Sequence, residues 1–123
     1  MATVKETEQN LVALCAALLG LETDKTIFRG ELPADAVNCV AVGLTGGGNE
    51  NTPGMERYAV QLLGRYGTRD AAVEMCGKFN AQFPHVGDGF YILKLGKPGV
   101  YPNTQKGKNT FGVSVNLDVR LTK

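Results

Sequence analysis

Apolar and polar residues alternate almost without a break from Asn109 to Leu121, the clearest pattern in the chain. Phe111, Val113, Val115, Leu117, Val119 and Leu121 take the odd positions, and Thr110, Gly112, Ser114, Asn116, Asp118 and Arg120 take the even ones. Side chains leave a β-strand on opposite sides with period two, so this segment predicts a strand with one packed and one wet face. Half-buried strands of this kind belong to antiparallel or mixed sheets rather than to doubly wound parallel ones. The expected architecture is a one-sided sheet with helices as the second layer.

Helical periods flank that expectation. Over residues 3 to 19, Leu11, Leu14, Cys15, Leu18 and Leu19 fall on one face, Thr3 and Glu6 have capping-box spacing, and Gly20 supplies the stop. A polar connector follows, with Ile27 and Phe28 as apolar anchors and Pro33 as a breaker. Thr68 is placed to cap a second helix running to Phe83, with Asp70 in its first turn. Ala72, Met75, Cys76, Phe79 and Phe83 recur at helical spacing before Pro84.

Strands are expected at Val37 to Leu44, at Met55 to Leu63 and at Phe90 to Leu95. Between the first two, Thr45 to Gly54 carries no apolar side chain and reads as an exposed, mobile hairpin loop. A second long loop, Gly96 to Lys108, holds Lys97, Lys106 and Lys108 among prolines and glycines. The order αββαββ predicts an α+β fold: one domain over residues 1–123, with a four-stranded, mainly antiparallel (mixed) sheet and two helices packed on one face. The two αββ halves show no sequence repeat, and their hairpins leave edge strands open for pairing between chains.

Bulk properties narrow the function. A chain of 123 residues buries roughly two-thirds of its unfolded surface. A formal net charge of +1 offers neither a broad basic footprint for nucleic acid nor an acidic tail. Three cysteines, an odd number, suit a reducing compartment, and Cys15, Cys39 and Cys76 each sit in an apolar pattern. Leu11 to Leu21 is too short to span a bilayer and lacks a basic flank, so neither a leader nor a membrane span is expected.

Candidate chemistry is sparse. Gly46-Gly47-Gly48 lacks the Gly-Lys-Ser/Thr ending of a phosphate loop and precedes no helix. The single histidine, His85, could pair with Cys76 or Cys39 as base and nucleophile, but no third residue orients it. No Cys-x-x-Cys or His-x-x-x-His spacing points to zinc. Asp24, Glu31, Asp35, Glu50 and Glu56 are scattered, as solvated loop charges are. Asp118 and Arg120 share the wet face of the last strand, either as a surface salt bridge or as an intersubunit contact. Lys97, Lys106 and Lys108, with Tyr101 as the one aromatic among them, make a weak phosphate-binding pattern. The balance favours a protein that assembles, without catalytic residues, cofactor or metal.

Three segments then carry a resemblance: Ile27-Phe28-Arg29-Gly30-Glu31-Leu32-Pro33, Asn38-Cys39-Val40-Ala41-Val42-Gly43-Leu44-Thr45-Gly46-Gly47, and Phe111-Gly112-Val113-Ser114-Val115-Asn116-Leu117-Asp118-Val119-Arg120. In these, and in element order over nearly the whole chain, it resembles the tail-terminator and minor capsid (minor tail) proteins of long-tailed bacteriophages. The resemblance implies a hexameric ring on the last ring of the tail tube, which stops tube polymerisation and joins tail to head. Its implied partners are copies of itself, the tail-tube protein and a head-completion or connector protein. DNA passes through the channel unread, no membrane is involved, and the protein resides in the virion after assembly in the bacterial cytoplasm. The expected docking elements are the two loops, through Thr45, Gly46, Gly47, Gly48, Asn49 and Glu50 and through Lys97, Tyr101, Lys106 and Lys108, with Asp118 and Arg120 between subunits. The long Lys-bearing loop departs from the family pattern and keeps a head-completion or neck adaptor as an alternative. A small Cys/His enzyme and a ligand-binding αββ domain are the alternatives from other classes.

Overall fold

Nine elements make up the computed structural model, which describes residues 4–49, 55–105 and 108–122. In order they are α1 (Val4–Leu19), β1 (Ile27–Arg29), β2 (Cys39–Asn49), β3 (Met55–Tyr66), α2 (Arg69–Gln82), β4 (His85–Gly87), β5 (Phe90–Lys94), β6 (Gly99–Gln105) and β7 (Lys108–Thr122).

The helices stop where their sequence dictates. Gly20 takes a φ of 70° after α1, and the Leu21 amide reaches back to the Ala16 carbonyl at 2.9 Å, the six-to-one bond that closes a helix C-terminus. Thr68 caps α2, its hydroxyl accepting from the Ala71 amide at 3.2 Å. Thr3, the expected cap of α1, lies outside the described residues.

The sheet is larger than the alternation predicts. Seven strands, in the order β1-β2-β3-β7-β5-β4 with β6 also on β7, replace the expected four. The missing strands are those a periodicity cannot show. β1 and β4 have three residues each, shorter than any alternation. β6 lies inside the expected loop Gly96 to Lys108, because an edge strand tolerates Pro102 and polar side chains. Thr45 to Asn49 is likewise strand rather than loop. β2 continues through it, paired to β3 as far as Asn49 opposite Glu56, and a bulge between Leu44 and Gly46 absorbs Thr45. Gly47 sits there at a φ of 122° so close to the Arg57 carbonyl and the Tyr58 Cα that a side chain would not fit.

β7 organises everything else. One edge pairs with β3 from Phe111 opposite Tyr66 to Thr122 opposite Met55. The other edge is shared, β6 taking Lys108 to Ser114 and β5 taking Leu117 to Leu121. All pairings are antiparallel except β1 on β2. Both helices join one hydrophobic core with the same strand faces, α1 lying over β1 and β2, and α2 over β3, β6 and β7. Val40 and Val42, Tyr58, Val60 and Leu62, and Val113, Val115, Leu117 and Val119 point into it, against Leu11, Cys15 and Leu19 of α1 and Ala72, Met75 and Phe79 of α2. The sheet face opposite the helices carries no helix or second sheet among the described residues, and the connector between β1 and β2 covers its β2 side.

Candidate assembly surfaces

The helix-free face is built from the other half of each alternation. Register places Cys39, Ala41 and Gly43 of β2 beside Arg65, Leu63 and Gln61 of β3, and these beside Gly112, Ser114 and Asn116 of β7. Further along, Arg57 lies opposite Arg120 and Ala59 opposite Asp118. Asp118 is buried, only 3% exposed, although the sequence places it on a wet face. Its burial is compensated: Arg57 Nε donates to Oδ1 at 2.9 Å, and Arg120 donates from Nε and Nη2 to Oδ2 at 3.3 and 3.2 Å. Arg120 Nη1 also donates to the Tyr91 hydroxyl at 3.3 Å, and its guanidinium lies 5.7 Å from the Tyr91 ring centre. The Tyr91 hydrogen bond and the Asp118 carboxylate together hold the Arg120 guanidinium above its ordinary pKa. Asp118 and Arg120 thus form an ion pair within the chain, its carboxylate buried rather than at the surface as expected.

Apolar side chains gather on the same face around β4, β5 and β6. Register puts Val86, Tyr91, Leu93 and Tyr101 there, opposite Tyr91, Arg120, Asp118 and Gly112 respectively. Leu95 continues the series, its amide bonded to the Asn116 carbonyl at 2.8 Å. The Tyr101 ring covers Gly112 so closely that a Cβ at Gly112 would collide with it. Across the sheet, the connector between β1 and β2 folds over the face, held by Arg65 Nη1 donating to the Pro33 and Ala36 carbonyls at 3.2 and 3.0 Å. Beneath it lies an open groove of about 270 Å³ floored by Ala41, Gly43, Gln61 and Leu63 and walled by Glu31 and Leu32. Neither the groove nor the apolar cluster was anticipated, because both depend on strands and a connector path that the sequence pattern does not reveal.

The expected docking residues separate into two places. Thr45, Gly46 and Gly47 are exposed on the outer part of β2, with the Thr45 hydroxyl donating to the Ala59 carbonyl at 3.3 Å. Gly48 and Asn49 pair with Arg57 and Glu56, and Glu50 lies outside the described residues. Lys97 is exposed in the turn between β5 and β6, and Tyr101 is 39% exposed on β6. Lys108 opens β7 opposite Gln105, and Lys106 lies outside the described residues. The paired ends of β2 and β3, Asn49 and Glu56, lie beside Leu121 of β7, whereas the paired ends of β6 and β7, Gln105 and Lys108, lie at the opposite end of that strand. At about 3.3 Å per residue those ends stand roughly 40 Å apart. The two hairpin ends are therefore opposite poles of one sheet, whereas Lys97 and Tyr101 lie between them, beside the middle of β7.

The thiols and the histidine do not meet as a pair. Cys15 is buried between α1 and the sheet, and burial pushes its thiol up to about 12. Burial also raises Cys39, against a smaller opposing pull from Arg65. His85 rests its ring 5.8 Å from that of Phe90, and among the described residues no hydrogen bond ties it to a thiol. Two tyrosines complete the titratable interior. Tyr58 donates to Glu56 Oε2 at 2.8 Å, and burial followed by that carboxylate raises its pKa. Tyr66 is pushed up to about 12 by burial and then by Cys39 and Glu74, and its hydroxyl has no hydrogen-bond partner among the described residues. Among those residues no group of His, Cys, Asp and Glu is placed to hold a metal ion, and no helix is long and apolar enough to cross a membrane.

The chain matches no protein-family model and no curated protein at a significant level.

Proposed function

We propose that the chain is a virion structural protein of the tail-terminator kind, whose copies form a hexameric ring at the head-proximal end of a phage tail tube. The ring stops tube growth and presents a surface for head joining, while DNA passes through without being read. It acts by assembly, without a catalytic residue or cofactor. One observation carries this function: the two polar hairpin poles stand at opposite ends of β7. A terminator must hold a tube on one side and receive a head protein on the other, and a rigid sheet with an adhesive end at each pole meets that demand. The outer part of β2 supports it further, since Thr45 to Asn49 keeps the strand ladder while adding no apolar side chain to the core.

The test is co-sedimentation of the purified protein with polymerised tail tubes, with electron microscopy of tube ends. Removing residues 51–53 and reversing charge at Lys106→Glu with Lys108→Glu should each abolish binding to a different partner, tube or head. Loss of the same partner in both variants would refute the bipolar assignment. Binding to empty heads but never to tubes would replace the terminator with a head-completion or neck adaptor.

A further inference from the structure

Much of the edge of this sheet is closed by the chain itself. Beside β1, the Asp24 amide donates to the Ile27 carbonyl at 2.8 Å and the Ile27 amide to the Glu22 carbonyl at 3.1 Å. On β2, β1 pairs with Val40, Ala41 and Val42, the Gly30 amide reaches the Val42 carbonyl at 2.7 Å, and the Leu44 amide donates to Glu8 Oε2 at 3.0 Å. On β6, Pro102 has no N–H to offer a neighbour. Two stretches differ. Among the described residues no backbone bond reaches the outer edge of β2 over residues 45–49, or that of β4. Neither stretch holds a proline, a lysine or a carboxylate, the residues that ordinarily guard a bare edge.

These two bare edges lie on the same rows of the sheet. Gly47 leads through Tyr58, Val119 and Ile92 to His85, and Gly48 through Arg57, Arg120 and Tyr91 to Val86. Asn49 leads through Glu56, Leu121 and Phe90 to Gly87. Every pairing between β2 and β4 is antiparallel and there are four of them, so the two strands point the same way. Shape agrees. β1 stops at Arg29, level with Val42, which leaves a notch beside the outer part of β2, while β4 projects one strand beyond β5 on the opposite side. Gly87 and Phe90 flank the two-residue turn Asp88-Gly89 and form a hydrogen-bonded pair, so the next residue, Val86, turns its N–H and C=O outwards. Val86 is also 78% exposed, and Gly48 on the same row has no side chain to obstruct it.

We infer that β4 of one copy pairs with residues 45–49 of β2 of the next, in parallel and head to tail, so that one sheet runs on from copy to copy. This rests on the terminator assignment and supplies its ring with a joint. With one pole towards the tube and the other towards the head, the strands run along the ring axis. Rotation about that axis keeps every row at its height and every strand in its direction, and a heterologous contact of this kind closes into a ring. Five strands per copy at about 4.8 Å give roughly 24 Å, so six copies close at a radius of roughly 23 Å. α1 and α2 lie side by side and need about 20 Å across, which is available outside that radius but not ~10 Å inside it, so the helix-free faces line the bore. Each joint is only as deep as the three residues of β4 and is weak alone. A tube end that seats six copies raises their effective concentration and closes all the joints together.

Oxidative cross-linking of Gly48→Cys combined with Val86→Cys, on polymerised tail tubes and on the protein alone, tests it. The expected result is a ladder on a denaturing gel that ends at six chains. Either single variant should give none, and a mixture of the two single variants should stop at dimers. Val86→Pro, which removes the outward N–H and leaves the β4–β5 bonds in place, should keep the circular dichroism spectrum. It should lower the ring occupancy of tube ends at least tenfold in electron micrographs. Cross-links of the double variant that stop at the dimer, or Val86→Pro rings as abundant as wild type, would overturn the joint. Wild-type rings on tube ends with no ladder from the double variant would overturn the joint and leave the terminator assignment standing. A ladder from a protein that never binds tubes would keep the joint and overturn the terminator. Neither ring nor ladder would overturn both.

Discussion

Raising the pH should destabilise this protein, and the Cys15 thiol isolates one part of that loss. Cys15 is 1% exposed and its pKa rises from an ordinary 9.0 to about 12, because an anion there would be stripped of water. Above about pH 9 the unfolded chain loses this proton while the folded chain keeps it. Unfolding then releases a proton, and stability falls by about 1.4 kcal/mol for each pH unit until about pH 12. The stabilisation is complete below about pH 9 and is lost between there and about pH 12. Cys15→Ala removes the titrating group at a constant cost of about 1 kcal/mol for a small cavity. Wild type should be the more stable protein at pH 8, and by pH 10.5 it should have lost about 2 kcal/mol relative to the variant. Urea unfolding at half-unit steps from pH 8 to 10.5, followed by circular dichroism, measures both curves, and other alkaline titrations cancel in the difference. Parallel curves would refute the reasoning, since a thiol that ionises equally in both states is not buried as described.

Thr68→Ala should cost about 1 kcal/mol through loss of the α2 cap, read as a shifted urea midpoint with an unchanged slope. Tyr66→Phe removes a buried hydroxyl without a partner among the described residues, so stability should hold or rise by about 1 kcal/mol; a loss of that size would reveal a partner. Phe79→Ala should cost about 3–5 kcal/mol, because this fully buried ring fills the space between α2 and the sheet. A loss below 1 kcal/mol in thermal or urea unfolding would mean that the core closes over the gap.

What the sequence reveals follows the length and cleanness of each pattern. Phe111 to Leu121 alternates long enough to define β7, and Thr68 with Ala72, Met75 and Phe79 defines α2. β1 and β4 escape because three residues hold too little periodicity, and they form only where β2 and β5 offer an edge. β6 escapes because Pro102 and the neighbouring glycines resemble a loop until β7 pairs with them. Thr45 to Asn49 deceives for a similar reason, since glycine has poor strand propensity and only pairing with β3 holds it extended. At the candidate surfaces the individual residues were legible but their distribution was not. Whether two hairpins share an end depends on strand order, and Asp118 is buried only because Arg57, distant in sequence, crosses to meet it.

The place of β7 has a consequence for how the molecule comes into being. Residues 108–122 are the common partner of β3, β5 and β6, yet they leave the ribosome after all three. Until then β3 has one bare edge, β5 and β6 lack their shared neighbour, and the floor beneath α2 is missing. A helix and a hairpin can form early, but the cooperative core waits for the final strand to arrive. From the making of β3 until that of β7, a seam as long as the sheet itself stays open. That seam is where a neighbouring nascent chain, carrying its own β7, could insert in place of the native strand.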